Sequence, residues 1–143
     1  MILADLRTHL LGFVDLTTEI GDRIYINRAP QKAPNPYVIV SIVSGNTPYT
    51  LAGEIGVVQS IIQLSAWSRD PNGPFQASKV AALLRDKLSH WRGNWGDTFV
   101  NDCSLQGEPL DLADEPIDKS DNWWHGVQQD YQVTHAFSAP TLS

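Results

Sequence analysis

Two runs of alternating residues between Pro36 and Trp67 constrain this chain more than anything else in it. The first is Tyr37-Val38-Ile39-Val40-Ser41-Ile42-Val43. The second is Val57-Val58-Gln59-Ser60-Ile61-Ile62-Gln63-Leu64-Ser65-Ala66-Trp67. Both are rich in β-branched residues, which suit a pleated, half-buried surface. Successive side chains of a strand point to opposite faces. Val38, Val40 and Ile42 therefore share one face of the first run, and Val58, Ile62, Leu64 and Ala66 share one face of the second. Gln59, Gln63 and Ser65 lie opposite, in company with Ile39, Val43 and Ile61. The pattern predicts a long antiparallel β-hairpin with one face given to a core. The other face is left for a partner or a channel. The Gly45–Gly56 link is long for a hairpin turn, and loops of that length are often functional. It is expected to be a protruding β-arm or a flexible loop.

The flanks supply helices to cover that sheet. Leu3, Leu6, Leu10 and Phe13 recur three or four apart, which predicts an amphipathic helix over Ile2–Phe13. Thr17–Asp22 reads as a turn or a single helical turn, and Arg23–Asn27 as a short strand. Arg28–Pro36 holds three prolines and is expected to be an extended, stiff connector. After the Ser68–Pro74 turn, Asn72 suits a helix cap and Pro74 a first turn. Val80, Leu83, Leu84 and Leu88, joined by Ala77 and Ala81, predict a helix from Phe75 to His90.

Trp91–Asp97 reads as a turn-rich bridge. Thr98–Leu105 reads as a strand with Phe99 and Cys103 on one face and Val100 on the other. Leu110–Asn122 is the most acidic stretch and is expected to be a solvated loop. Gly126–Phe137 alternates again: Val127, Tyr131, Val133 and Phe137 against Gln128, Asp130, Gln132 and Thr134. The fold class is α+β, an antiparallel sheet with a long β-hairpin and helices packed on one face. At 143 residues the chain suits one domain, 1–143, with 138–143 as a frayed tail.

The formal net charge is −6. That argues against gripping DNA through its phosphates, which takes clustered Lys and Arg. Cys103 is the only cysteine, so no disulfide forms within the chain; it reads as a small buried hydrophobe. No segment approaches the ~20 apolar residues of a membrane span, and the protein is expected to be soluble.

Catalytic patterns are absent. His9, His90, His125 and His135 show no ligand spacing and are expected at the surface or at helix ends. There is neither a phosphate loop nor a nucleophile elbow. The acidic stretch lacks the spacing of a calcium loop. No catalytic, cofactor-binding or metal-binding residue is predicted, and no cofactor. Five tryptophans, Trp67, Trp91, Trp95, Trp123 and Trp124, leave three readings: core edge, interface anchors, or a platform for sugars. The last supports an alternative function, a carbohydrate- or receptor-contacting component.

Four stretches carry a likeness to a known family. They are Leu3-x-x-Leu6-Arg7 with Thr18-x-Ile20-Gly21-Asp22-Arg23-Ile24-Tyr25; Ala29-Pro30-Gln31 with Pro34-x-Pro36-Tyr37-Val38; Gln63-Leu64-Ser65-Ala66-Trp67-Ser68; and Gln129-Asp130-Tyr131-Gln132-Val133. In this order they resemble the small bacteriophage tail-completion proteins of long-tailed phages. Trp91–Gly96 and the Trp123-Trp124 pair lie outside the pattern.

The resemblance implies a structural virion protein without enzymatic activity, made in the host cytoplasm. It implies a ring of identical copies, commonly a hexamer, at the head–tail joint or tail end. The implied partners are a head connector or portal-side protein and the tail tube protein, with DNA passing through unbound and no membrane involved. On that view three segments are expected at interfaces. Thr47, Tyr49, Leu51 and Glu54 represent the loop, and Arg69 and Asp70 the turn. Asp111, Asp114, Glu115, Asp118, Trp123 and Trp124 represent the acidic segment. Gln59, Gln63, Gln128, Asp130 and Gln132 are expected to face the lumen.

Overall fold

The computed structural model describes residues 2–46, 57–71, 73–114 and 122–136. The first helix, α1 (Ile2–Leu10), buries Leu3, Leu6 and Leu10. It stops three residues before the expected end. Phe13 has extended backbone, and a second helix, α2 (Val14–Ile20), starts behind it and buries Leu16 and Ile20. A turn or a single helical turn was the expectation at Thr17–Asp22; the helix is longer and begins earlier, although Val and Thr are modest helix formers. Tertiary contacts offset that. Lys87 Nζ lies 2.7 Å from Asp15 and Lys79 Nζ 2.6 Å from Glu19, which ties α2 to the third helix, α3 (Gly73–Leu88).

Six strands form one sheet in the order β1-β2-β3-β6-β5-β4. They are β1 (Ile24–Ile26), β2 (Tyr37–Asn46), β3 (Val57–Arg69), β4 (Gly93–Trp95), β5 (Thr98–Asp114) and β6 (Trp124–Ala136). The expectation of a purely antiparallel sheet is corrected at one edge: β1 runs parallel to β2, with Ile24 opposite Val38. The sheet is therefore mixed and curls into a half-barrel. Parallel neighbours need a crossover rather than a tight turn, and the proline-rich connector makes it. Arginines fix the result: Arg7 Nε donates to the Ile24 carbonyl at 2.8 Å, and Arg23 Nε to the Pro36 carbonyl at 2.8 Å.

The core lies between the helices and one face of the sheet. Val38 and Val40 of β2, Ile62, Leu64 and Ala66 of β3, and Val127, Tyr131 and Val133 of β6 are buried there with the leucines of α1 and α3. The alternation predicted for β3 and β6 holds. Gln129 joins the buried face as well, donating to the Ala81 carbonyl at 3.1 Å and accepting from the Tyr131 hydroxyl at 2.8 Å.

In β5 the predicted phase fails. Val100 and Cys103 are both fully buried, whereas Phe99 is exposed. The register shifts between Val100 and Asp102, and such a bulge puts two residues against one and reverses the alternation beyond it. Cys103 is buried as expected, and burial, aided by Asp102, pushes its thiol up to about 12. Leu110–Asp114, expected in a loop, continues β5 opposite Gln128–Trp124. Gly93–Trp95, expected in a bridge, is the edge strand β4. Phe137, the tail and residues 115–121 lie outside the described residues, as does the 47–56 loop. No helix among the described residues is long and apolar enough to cross a membrane.

Candidate functional site

Helices cover one face of the sheet; the opposite face is the candidate working surface. The strand registers line up its side chains in rows. Ser41, Gln63, Asp130 and Gln106 are successive partners across β2, β3, β6 and β5. Ile39, Ser65, Gln128 and Leu110 form the next row, and Ser44, Ile61, Gln132 and Ser104 another. All five residues expected at a lumen therefore share this face: Gln59 is exposed, and Gln63, Gln128, Asp130 and Gln132 are half-buried. Among the described residues Asp130 Oδ1 is buried without a hydrogen-bond partner. Among the described residues these rows mix amides, hydroxyls and one carboxylate with Ile39, Ile61 and Leu110, and no Lys or Arg stands in them.

At one end this face turns aromatic. Trp67 stands opposite Gly126, and a Cβ on Gly126 would come within 2.8 Å of the Trp67 ring. A strand glycine of this kind marks a close approach. Tyr37 meets Trp124 at 5.5 Å between ring centroids and Tyr25 at 5.8 Å. The Arg69 guanidinium sits 5.8 Å from the Trp124 ring centre. Arg28, Ile39 and Asp114 complete an open groove of about 410 Å3 over these rings. Burial, then the nearby Asp114 charge, raises the Tyr37 phenol above its ordinary range.

The turn after β3 is bound to the start of β6. The Asp70 N–H donates to the Trp123 carbonyl at 3.0 Å, and Asp70 Oδ2 accepts from the Trp123 N–H at 3.1 Å. Asp70 Oδ1 lies 2.9 Å from His125 Nε2, and Arg69 Nε donates to the Asn122 carbonyl at 3.0 Å. So the structure gathers Arg69, Asp70, Trp123 and Trp124 at one corner, where Trp123 is 40% exposed. Asp114 joins that corner beside Trp124. Asp111 does not. It pairs with Val127 on the helix-covered side and lines a cleft of about 230 Å3 with Pro74, Ala77 and His125. Thr47, Tyr49, Leu51, Glu54, Glu115 and Asp118 lie outside the described residues. Tyr25, Tyr37 and His125 are additions that sequence reasoning missed. Only the glycine inside β6, facing a tryptophan, hinted at the close packing.

The histidine expectation needs correction at His135; His9 lies in the last turn of α1 as expected, and His125 is partly exposed. His135 is buried with its Nε2 3.0 Å from Ser60 Oγ, and His125 is held by Asp70. His9 packs among Phe13, Trp91 and Trp95, with ring centroids 5.0, 4.4 and 5.9 Å away. Desolvation there lowers its pKa. The unfolded chain, with an ordinary histidine near about 6.5, then takes a proton before the folded one does. Stability from His9 is thus full above about pH 6.5 and is lost as pH falls toward the depressed folded value. Urea unfolding midpoints measured from pH 8 to pH 5 should fall less steeply for His9→Phe than for the native chain. Parallel curves would refute the assignment.

Among the described residues no three potential metal ligands converge. The model of the family described as tail completion protein gp17 matches residues 4–134. A solved chain of the virion of a native gene transfer agent (GTA) particle shares the fold at TM-score 0.62, with 13% identity, covering 94% of this chain and 91% of that one. A second solved chain aligns at TM-score 0.53 with 14% identity, covering 98% and 96%. No curated protein matches.

Proposed function

The chain belongs to the tail completion protein gp17 family, and from that we propose that it closes the end of a phage tail as a ring of identical copies at the head–tail joint. Families of this kind are structural and non-enzymatic, and the chain is a virion component. The observation that carries the ring reading is the one-sidedness of the sheet. Helices occupy one face, and the registered rows through Gln63, Asp130 and Gln132 occupy the other. Turned toward an axis, those rows line a wet passage. DNA slides along such a wall because, among the described residues, those rows hold no Lys or Arg to grip its phosphates. Hexameric copy number, a head connector on one rim and a tail tube on the other complete the proposal. The pinned corner of Arg69, Asp70, Asp114, Trp123 and Trp124 is the docking surface it offers those neighbours.

The carbohydrate alternative draws on the aromatic groove. Tyr37 and Trp124, which line it, are tilted at 58° to each other, and Tyr25 beside it packs edge-on against Tyr37 at 67°. A sugar platform needs an open ring face, whereas the Arg69 guanidinium lies over the Trp124 ring at 5.8 Å, which favours the structural reading. Electron microscopy of lysates lacking the protein decides between them. The joining role predicts filled heads separate from finished tails. Intact particles that fail only to adsorb would sink it.

A further inference from the structure

One charge stands alone in the middle of the open face. Asp130 of β6 is half-buried, and its Oδ1 is shut off from solvent with no hydrogen-bond partner among the described residues. Buried charges are normally paired with a counter-charge or coordinated to a metal. No Lys or Arg stands in the row of Asp130 or in the rows on either side of it. Those rows therefore hold nothing to neutralise it.

Glutamines surround this carboxylate. Gln63 of β3 and Gln106 of β5 are its partners on the two neighbouring strands. Side chains directly opposite in such pairs have Cβ atoms about 4.5–5.5 Å apart. Gln128 and Gln132 sit on the same face of β6, each about 6.6 Å along the strand. The Gln106 amide N–H donates to Ser104 Oγ at 3.4 Å.

The donors available select the ion. Transition metals take His, Cys and groups of acids, and no such group converges among the described residues. Carboxylate, amide and hydroxyl oxygens suit hard cations. Mg2+ dehydrates reluctantly, keeps several waters and is typically held through one or two carboxylates. An open face with one carboxylate fits that ion better than it fits the all-oxygen cage of Ca2+. The waters of the ion need acceptors, and glutamine carbonyls provide them.

We propose that Asp130 holds a hydrated Mg2+ on the open face, with the waters of the ion donating to the amide oxygens of Gln63, Gln106, Gln128 and Gln132. The site lies within one chain and does not depend on assembly. Only its consequence rests on the ring reading. One ion per copy would offset the repulsion between the Asp130 carboxylates and passing phosphates. Failure of the ion site would leave the ring reading standing.

The test uses the full chain in solution, with Mn2+ as a paramagnetic probe. Backbone amide signals of Gln63, Gln106 and Gln128–Gln132 should broaden as Mn2+ is added and recover when excess Mg2+ competes. They should stay sharp in Asp130→Asn. Asp111→Asn with Asp114→Asn should leave the broadening in place. Broadening confined to the acidic end of β5, or unchanged by Asp130→Asn, would overturn the site. Gln63→Leu with Gln128→Leu keeps the charge and should weaken Mg2+ binding about tenfold or more, the usual cost of losing outer-shell partners of a metal. Unchanged affinity there would refute the glutamine role. Thermal unfolding gives an independent reading, because an ion that binds only the folded state stabilises it. Mg2+ should raise the midpoint of the native chain and leave Asp130→Asn unmoved. If Asp130→Asn raises the midpoint by itself and Mg2+ does nothing to the native chain, the carboxylate is an uncompensated charge without an ion, and the proposal fails.

Discussion

Trp95→Ala is expected to cost the fold about 3–5 kcal/mol, the range for emptying a buried tryptophan site. Trp95 is 1% exposed and belongs to the short edge strand β4, which pairs with β5 only at Thr98–Val100. Its ring lies beside His9 of α1 at 5.9 Å. The same corner is tied by the Thr98 hydroxyl donating to Asp5. Removing the indole leaves a void between α1 and the sheet edge that neither can fill without breaking these ties. A domain with a net stability of about 5–15 kcal/mol would lose a large part of it. Urea denaturation measures the loss. Trp95→Phe should cost clearly less, because it keeps most of the ring while deleting an indole N–H that is buried without a partner among the described residues. Equal costs for the two substitutions would show that the volume of the ring is not what matters.

The second large effect is expected at Gly126. A methyl group there would press on Trp67 Cε3 at 2.8 Å and Cδ2 at 2.9 Å. These atoms belong to a broad ring on the neighbouring strand, so the indole has to swing outward or the two strands must part. Overpacking of this kind costs about 1–3 kcal/mol. The working face would change with it, since Trp67 opposes Tyr37 in β2 and lines the groove beside Trp124. Gly126→Ala should lower the unfolding midpoint and shift the tryptophan emission to the red as rings move into water. The double change Gly126→Ala with Trp67→Leu should recover part of the stability. No recovery would mean that the strain lies in the backbone.

How far the fold could be read from residues alone depends on which interactions decide each element. β3 and β6 were legible because burial on one face is written at every second position. The bulge in β5 was not, since nothing in Val100-Asn101-Asp102 announces an unpaired residue; it exists because β6 fixes both flanks. α2 depends on lysines that arrive from α3, more than fifty positions away, which no local window contains. The direction of β1 escaped for a related reason. Period-two patterning says that a strand exists and is silent on the sense of its neighbour. At the candidate site, Gln63, Asp130 and their companions were found because alternation places them together. The corner built from Asp70 and Trp123 joins segments 53 residues apart, so the sequence named both ends without linking them.

Arg7 reaches from α1 to the carbonyls of Asp22 and Ile24, and so the opening helix acts as a clasp on the first strand of the sheet. Loosening that clasp would weaken the hold on β1, the strand that lies along β2 at Val38–Val40. How firmly that edge of the sheet is covered is then set in part from the opening helix, by a single arginine.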